Sequence, residues 1–311
     1  QNGNNLLKLI LTSKGYILTA EGTLKGCLLV FGKKGMTSGR IRYIIDKKGK
    51  RSEVLMSVLR ADFYSEALTM NTSAVIILPD DIANSRAKVL YLLHGLSDNC
   101  TGWMRLTGVE RYARERKMAV VMPEVQRSFY TNMAYGVNYF SYVADELPQK
   151  MQKMFGFSSK REKNMVAGLS MGGYGALKCA LTYPERYFGC AAFSSACDMK
   201  RNIHERYIDP QRQRELQAIF GLEQIIPEKD DLFALLKKSA DAPVKPRFFV
   251  TCGTDDLLLP QNHDFKAAME ALPYDLTYME WKGDHTWDFW DRSILLALEH
   301  LVDGAKKRRA M

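Results

Sequence analysis

The chain has 311 residues, of which 46% are hydrophobic and 11% aromatic, enough apolar material for one large folded core. No apolar run reaches the roughly 20 residues needed to cross a bilayer. Residues 5–11 are apolar, but no basic segment precedes them and no small-residue cleavage site follows, so they do not match a signal peptide. We therefore expect a cytoplasmic protein without a membrane partner.

The net charge of +9 is unevenly distributed along the chain. Residues 1–55 hold 11 Lys and Arg against 3 Asp and Glu, and residues 306–309 are all basic, so the body between them is slightly acidic. Basic flanks of this kind are usually solvated, and we expect no nucleic-acid partner. The six cysteines form no C-x-x-C pair and no cluster with zinc spacing, so we also expect no metal site and a reducing compartment.

From residue 73 onward, short apolar runs alternate with stretches of helical period. The runs are rich in β-branched residues and end in Gly, Pro or polar residues, which is typical of strands covered by helices on both faces. We predict strands at 74–78, 89–93, 118–122, 165–167, 190–193, 248–250 and 276–279, and helices at 104–117, 139–155, 171–183, 261–272 and 288–302. This alternation predicts an α/β fold with a mostly parallel central sheet.

Residues 198–245 interrupt the alternation. They are polar, charged and helical in period, and they lie between two predicted strands. We therefore expect a small helical, lid-like insertion over the functional site, within a domain that spans 56–305 and is followed by a basic tail at 306–311.

Residues 168–172 read Gly-Leu-Ser-Met-Gly, a G-x-S-x-G motif between a predicted strand and a predicted helix. In this context the serine lies at a sharp turn that raises its hydroxyl above the sheet edge, and a side chain two residues away on either side would collide with the turn. The N-terminus of the following helix favours developing negative charge. The motif therefore predicts that Ser170 is a nucleophile.

A serine of this type is followed along the chain by an acidic residue and then by a histidine. His285 lies in a loop directly after the last predicted strand, from which an imidazole can reach the serine as a general base. The acid is expected at the end of the preceding strand, where Asp255 and Asp256 are both candidates. The chemistry of these residues does not choose between the two.

A hole for the oxyanion needs two backbone N–H donors, one from the residue after the nucleophile and one from a loop that follows an early strand. Met171 is the residue after the nucleophile. His94, Gly95 and Leu96 follow the strand predicted at 89–93, and Gly95 permits an unusual turn, so we predict that Leu96 supplies the second N–H. We expect His94 to brace this loop by hydrogen bonding.

Several motifs resemble one known family, the esterase D-related bacterial esterases of the α/β-hydrolase superfamily. The matching segments are LLHGL at 92–96 with Trp103, YTNMAYG at 130–136, ELP at 146–148, GLSMGGYGA at 168–176, CGTDD at 252–256 and HTW at 285–287. The resemblance covers residues 56–302. It implies an α/β-hydrolase fold with helices on both faces of the sheet, a Ser-His-Asp triad and no cofactor. Its Gly-Thr-x-Asp pattern implies that Asp256 is the acid.

This family includes tributyrin esterases and some acetylxylan and cinnamoyl esterases. The resemblance therefore implies a serine carboxylesterase for short-chain acyl or acetyl esters, with acetylated or feruloylated plant polysaccharide fragments among the candidate substrates. Acyl transfer to an acceptor other than water uses the same residues. A non-catalytic ligand-binding relative is a further alternative, but it would be expected to lack a member of the triad, and none is missing here.

S-formylglutathione hydrolases are more distant relatives and give another alternative function. They usually carry His before the nucleophile and Ser-Gly before the oxyanion loop. This chain has Leu169 and His94-Gly95 at those places, which disfavours that activity.

No motif defines the alcohol part of the substrate. Four tyrosines in one short stretch are candidates for lining an aromatic or sugar-binding cleft: Tyr130, Tyr135, Tyr139 and Tyr142. We predict Tyr130, Tyr135 and Trp287 as substrate-binding residues, for a small-molecule or oligosaccharide ester. A homo-oligomer is a further expectation.

Two interpretations of residues 1–55 remain open. Apolar segments at 7–11 and 16–18 flank a Lys-Gly turn, and another lies at 41–45, so hairpins in a small β-rich appendage are one interpretation. The other, which we favour, is a non-native leader, because the family resemblance begins at Met56 and codons for residues 50–52 can contain a ribosome-binding sequence. We expect this extension to be dispensable for catalysis.

Overall fold

The computed structural model describes residues 8–12, 15–19, 56–80 and 86–304. The chain divides into two compact units, residues 1–39 and residues 40–311. In the first unit, β1 (Lys8–Thr12) pairs antiparallel with β2 (Gly15–Thr19). The segment predicted at 41–45 lies outside the described residues, and the dispensability of residues 1–55 stays a prediction.

The second unit is built on an eight-stranded sheet. Its strands are β3 (Met56–Ser65), β4 (Met70–Pro79), β5 (Lys88–Leu93), β6 (Met118–Pro123), β7 (Asn164–Leu169), β8 (Gly189–Phe193), β9 (Arg247–Gly253) and β10 (Asp275–Trp281). Their spatial order is β10-β9-β8-β7-β5-β6-β4-β3. β4 pairs antiparallel with both of its neighbours, and all other pairs are parallel. The order and direction of the strands are those of the α/β-hydrolase fold.

Ten α-helices lie within the described ranges: α1 (Gly102–Leu106), α2 (Val109–Arg116), α3 (Tyr139–Ser141), α4 (Leu147–Phe155), α5 (Met171–Thr182), α6 (Met199–Arg201), α7 (Pro210–Phe220), α8 (Leu232–Ser239), α9 (Leu259–Glu270) and α10 (Trp287–Leu298). A π-helical turn at Tyr142–Glu146 joins α3 to α4, and another at Glu299–Asp303 extends α10. Among these helices, none is both long and apolar enough to span a bilayer.

The seven predicted strands are all present, but two details of the prediction were wrong. The helix predicted at 104–117 is two helices, because Thr107 adopts an extended backbone that ends α1. Strand β3 was not predicted. It is an edge strand whose residues are mostly half-buried or exposed, so it lacks the continuous apolar run of the inner strands.

Alternate residues of the inner strands pack on opposite faces of the sheet. In β5, Val89 and Tyr91 belong to the cluster that contains side chains of α4 and α5, whereas Leu90 and Leu92 pack with side chains of α2 and α10. Because helices cover both faces, every one of these strand residues is buried. This is the physical reason for the continuous apolar runs in the sequence.

The insertion predicted at 198–245 lies between β8 and β9 and contains α6, α7 and α8. It is fixed to α5 by polar contacts. Lys178 of α5 forms a buried ion pair with Asp230, and the Tyr174 hydroxyl donates to the Asp230 carbonyl at 2.6 Å. Removing one partner of such a pair would leave a buried charge uncompensated, so these contacts hold the insertion firmly on the helix.

Glu146, at the end of the π-turn that joins α3 to α4, fixes the turn between β3 and β4. Its carboxylate accepts hydrogen bonds from the Ser65 hydroxyl at 2.6 Å and from the N–H groups of Glu66 and Ala67 at 2.9 and 3.0 Å. The Lys150 ammonium lies 3.2 Å away. Burial by itself would raise the pKa of Glu146, but these donors together lower it below its usual value.

We expect Glu146→Gln to lower the melting temperature at pH 7 by roughly 2–6 °C, because the amide offers only one acceptor oxygen and no charge. A carboxyl group whose folded pKa is depressed stabilises the fold above the unfolded value of about 4.3. That contribution is lost as the pH falls through the folded pKa. Scanning calorimetry should therefore show the gap between wild type and variant narrowing from pH 7 to about pH 3.5.

Glu66→Gln is the matched control, because Glu66 lies in the same turn with an exposed side chain. We expect it to change the melting temperature little at any pH. A difference in melting temperature between wild type and Glu146→Gln that stays constant with pH would contradict the lowered pKa of Glu146.

Candidate active site

Ser170 lies between β7 and α5 in a backbone conformation that side chains rarely adopt, with φ of 53° and ψ of −115°. The turn is tight on both sides. A Cβ atom at Gly168 would collide with the Gly172 carbonyl, and one at Gly172 would collide with the Leu93 carbonyl. The Ser170 N–H donates to the Phe193 carbonyl at 2.8 Å, which ties the turn to β8. These contacts explain both glycines of the motif.

The hydroxyl of Ser170 begins a chain of hydrogen bonds through His285 to Asp256. His285, in the loop between β10 and α10, places Nε2 3.0 Å from Ser170 Oγ. Its Nδ1 lies 2.9 Å from Asp256 Oδ2, so Nδ1 carries the proton that is donated to the carboxylate. The structure therefore brings together the three residues that the sequence analysis selected, in the arrangement of a catalytic triad.

The two aspartates after β9 have different environments. The Asp256 side chain is buried, and its carboxylate also accepts from the Leu258 N–H at 2.8 Å. Burial by itself would raise the pKa of Asp256, but its hydrogen bonds to His285 and to the Leu258 N–H lower the pKa below the usual value. Asp255 is exposed, and its backbone N–H donates to the Gly283 carbonyl. Asp256 is thus the one in position to orient His285.

The loop after β5 passes directly beside the nucleophile, since a Cβ atom placed on Gly95 would lie 3.8 Å from Ser170 Cβ. His94 shapes this loop. Its Nε2 accepts from the Val125 N–H at 3.2 Å, and its Nδ1 lies 2.7 Å from the Gly95 carbonyl oxygen. Burial lowers the pKa of His94, which favours a neutral ring with the proton on Nδ1.

Fixing the Gly95 carbonyl also fixes the next N–H group. His94 Nδ1 and the Asp98 N–H, at 3.2 Å, both donate to this oxygen. In a trans peptide the N–H points opposite to the C=O, so the Leu96 N–H is held in a set direction on the other side of the plane. Met171 begins α5, where the first N–H groups have no partner within the helix. The two predicted oxyanion donors thus belong to the peptide that follows Gly95, in the loop beside Ser170, and to the first residue of α5.

Tyr130 was predicted to bind substrate, and the structure contradicts this. Its side chain is completely buried, its hydroxyl donates to the His94 carbonyl at 2.9 Å, and its ring lies against Gly175. The residue braces the loop that carries Leu96. A cluster of tyrosines in sequence does not indicate which rings are covered, and Tyr139 and Tyr142 are buried too.

The other two predicted substrate residues remain accessible. Tyr135 is 62% exposed, and its backbone N–H donates to the Ala218 carbonyl of α7. Trp287, two residues after His285, is half-buried, with ring centroids of Trp103 and Trp290 each 5.3 Å from its own in edge-to-face contacts. Their contact with substrate stays a prediction.

Two residues that the sequence analysis did not select lie beside the triad. The Trp290 ring stands at 90° to the His285 ring, with 4.9 Å between the centroids, and Trp290 Nε1 donates to Ser194 Oγ at 3.1 Å. Ser194 ends an apolar run and Trp290 lies in a helical pattern, so neither carries a motif. No group of three or more His, Cys, Asp or Glu side chains within the described residues is placed to hold a metal ion.

Comparisons with known proteins agree with this geometry. The profile of the Esterase family, described as "Putative esterase", matches residues 65–301. An acetyl esterase from Caldicellulosiruptor saccharolyticus is 32% identical over 263 residues, which are 78% of this chain and 97% of that protein.

Two solved structures from Staphylococcus aureus are each 33% identical to this chain. The fluorophosphonate-binding serine hydrolase FphF has a TM-score of 0.73 over 79% of this chain and 98% of its own. The S-formylglutathione hydrolase FrmB has a TM-score of 0.71 over 80% of this chain and 99% of its own.

We expect Asp256→Asn to reduce kcat for p-nitrophenyl acetate by roughly 10³–10⁴-fold, because an amide does not hold the imidazole and its cation as a carboxylate does. Asp255→Asn, one residue away, is the matched control and should stay within about twofold of wild type. Steady-state kinetics on the two variants decide the question, and the reverse ranking would assign the role to Asp255.

His94→Ala should reduce kcat by roughly 10–100-fold with little change in KM. Loss of an oxyanion donor costs about 10²–10³-fold, and here the donor is displaced rather than removed. His263→Ala is the control, because His263 is an exposed histidine paired with Glu280. The loss of kcat in His94→Ala counts as an active-site effect only if this variant still unfolds in a cooperative thermal transition. A folded His94→Ala variant with wild-type kcat would show that the loop does not need this brace.

Proposed function

We propose a specific reaction for this chain, which belongs to the Esterase family and is a carboxylic ester hydrolase. It hydrolyses short-chain acyl esters, acetyl esters above all, through an acyl-enzyme intermediate on Ser170. The observation that carries the proposal is the unbroken hydrogen-bond chain from Ser170 Oγ through His285 to Asp256, with links of 3.0 and 2.9 Å.

In this mechanism Ser170 Oγ attacks the ester carbonyl carbon while its proton passes to His285 Nε2. The buried carboxylate of Asp256 stabilises the imidazolium that forms. The N–H groups of Leu96 and Met171 bind the oxyanion. The alcohol leaves with the proton from His285, and His285 then activates a water molecule that hydrolyses the acyl-enzyme and restores Ser170.

The surroundings of His285 support a short acyl group. Trp103, Trp287 and Trp290 pack edge to face, and these contacts hold the Trp287 ring in place beside the catalytic loop. Gly102 also packs closely on this ring, since a Cβ atom there would lie 3.3 Å from Trp287 Cζ2. The relative from C. saccharolyticus is named acetyl esterase, which agrees with a small acyl group.

The carboxyl group of Asp98 supports a hydroxyl-rich alcohol part, such as a sugar. A Cβ atom on Gly95 would lie 3.7 Å from Asp98 Oδ2 and 3.8 Å from Ser170 Cβ, so this carboxyl group and Ser170 are both neighbours of Gly95. A carboxyl group can accept hydrogen bonds from sugar hydroxyls and disfavours the carboxylates of glutathione. S-formylglutathione is nevertheless the second candidate substrate, because the neighbour FrmB is named for that activity.

A single hydrolysis panel tests the proposal. It contains p-nitrophenyl esters of rising chain length, acetylated xylan, a feruloyl ester and S-formylglutathione. We expect the highest kcat/KM for acetyl to butyryl esters and measurable release of acetate from xylan. Rates that rise from acetyl to palmitoyl would contradict a short acyl site, and a dominant rate on S-formylglutathione would select the second candidate.

Ser170→Ala provides the matching variant. Removal of the nucleophile should abolish nearly all turnover of every substrate in the panel while the melting temperature stays close to that of wild type, because loss of a triad member costs several orders of magnitude. A folded alanine variant that keeps more than a few per cent of wild-type kcat would contradict the assignment of Ser170.

A further inference from the structure

Arg127 bonds both to the helical insertion and to the loop after β5 that carries Leu96. Its Nη1 donates to the Leu96 carbonyl at 3.3 Å. Its Nε and Nη2 donate to the two carboxylate oxygens of Glu215 in α7, at 3.1 and 3.0 Å. One guanidinium group therefore connects two elements that are far apart in the sequence.

The paired bonds to Glu215 set the plane of the guanidinium group. Two parallel N–H donors on one carboxylate are stronger and more directional than a single bond. Glu215 is itself held, because Arg212 Nη1, three residues earlier in α7, donates to the same carboxylate at 2.6 Å. The helix is anchored by the buried side chains of Leu216, Ile219 and Phe220. Glu215 thus orients the guanidinium group so that Nη1 of Arg127 meets Leu96.

The backbone before Arg127 is also tied to the loop after β5. The Val125 N–H donates to His94 Nε2 at 3.2 Å, so the imidazole that shapes this loop also holds the segment that carries Arg127. Gln126 has a φ of 52°, in the left-handed region, and its N–H donates to the Glu124 carboxylate at 2.9 Å. A strained residue of this kind persists only where the surrounding structure holds it. The guanidinium group is therefore carried by a fixed backbone.

Leu96 lies between two peptide groups, and the carbonyl oxygen of each is bonded. The oxygen of the preceding peptide, that of Gly95, accepts from His94 Nδ1 at 2.7 Å and from the Asp98 N–H at 3.2 Å. The oxygen of the following peptide, that of Leu96 itself, accepts from Arg127. Because each peptide is planar, bonds on both sides of the Leu96 Cα atom limit its two backbone dihedrals. The direction of the Leu96 N–H is thus fixed from both sides.

Stability alone is a weak reason for this ion pair. The side chains are 42% exposed for Arg127 and 28% exposed for Glu215, and exposed pairs usually stabilise a fold little. The bond to the Leu96 carbonyl distinguishes Arg127 from another half-exposed arginine of the insertion, Arg201, whose guanidinium binds Glu205 at 2.8 Å and Asp264 at 3.4 Å.

We propose that Arg127 is a positioning residue of the reaction proposed above: oriented by Glu215, it holds Leu96 so that its N–H stays directed at the oxyanion. The insertion then contributes to turnover through the Glu215 carboxylate. An N–H that is turned away from the oxyanion loses its bond mainly in the transition state, so kcat should respond more than KM. The inference rests on the proposed function, in which the Leu96 N–H binds the oxyanion.

Arg127→Gln removes the paired bonds and the charge. We expect about a 5–20-fold loss of kcat for p-nitrophenyl acetate, with KM within about twofold of wild type, because a displaced donor costs less than the roughly 10²–10³-fold of a donor that is lost. Arg127→Lys should also lose kcat, since an ammonium group lacks the planar set of donors.

A boronic acid reports on the oxyanion site directly. Ser170 Oγ adds to the boron atom of butylboronic acid to give a tetrahedral adduct that resembles the transition state. Its Ki should rise in Arg127→Gln by about the factor by which kcat falls, because both depend on the oxyanion donors. A purely structural role of Arg127 would not link the two quantities.

Glu215→Gln tests the same contact from the insertion. It should lower kcat in the wild-type background but change it by less than about twofold in the Arg127→Gln background, because both substitutions act on one contact. Arg201→Gln is the matched control and should keep the kcat of wild type. If Arg127→Gln does not unfold cooperatively, Arg127→Lys takes its place in the comparison with Glu215→Gln.

Wild-type kcat in the folded Arg127 variant and in Glu215→Gln would overturn the inference. So would losses that multiply in the double variant, a loss of kcat without a rise in Ki for butylboronic acid, or an equal loss in Arg201→Gln. If wild type itself hydrolyses no ester of the panel, the proposed function fails instead, and that result is seen before any variant is compared.

Discussion

The site depends on the close approach of three backbone segments where β5, β7 and α5 meet. Gly172 lies so near the Leu93 carbonyl, and Gly168 so near the Gly172 carbonyl, that no side chain fits at either place. This contact puts the serine turn against the end of β5, and the loop that begins with His94 starts at that point. Ser170 and the loop that carries the predicted oxyanion donor are therefore neighbours because of backbone packing, and side chains then fix the directions of the groups involved.

Two buried polar networks make these adjustments, one on each side of Ser170. On the oxyanion side, His94 and Tyr130 bond to the carbonyls of Gly95 and His94, and the Lys178 ammonium donates to the Tyr130 carbonyl at 3.0 Å. On the acid side, hydrogen bonds converge on Asp256. Because each member has a partner, these networks hold their geometry in a low-dielectric interior where an unpaired polar group would be costly.

The insertion between β8 and β9 is connected to the oxyanion side. Lys178, which bonds to Tyr130, is also the partner of Asp230 in the insertion. A second, more exposed connection runs through Arg127. Its guanidinium donates to the Leu96 carbonyl at 3.3 Å and binds both carboxylate oxygens of Glu215 in α7 at 3.1 and 3.0 Å. The insertion is thus bonded to the loop that supplies a predicted oxyanion donor.

The sequence by itself determined the α/β alternation, the position of the serine turn and the candidates that follow it. It could do so because continuous apolar runs, the glycines around Ser170 and the order of serine, acid and histidine are local features of the chain. Only the tertiary structure decided between Asp255 and Asp256 on physical grounds. It also turned Tyr130 from a surface candidate into a buried brace, and it revealed Trp290, bonded to Ser194, against the His285 ring. Those roles depend on which side chains are buried and on contacts between residues far apart in the chain. Ser194 and Trp290, for example, are 96 residues apart, and no local sequence pattern indicates that they form a hydrogen bond.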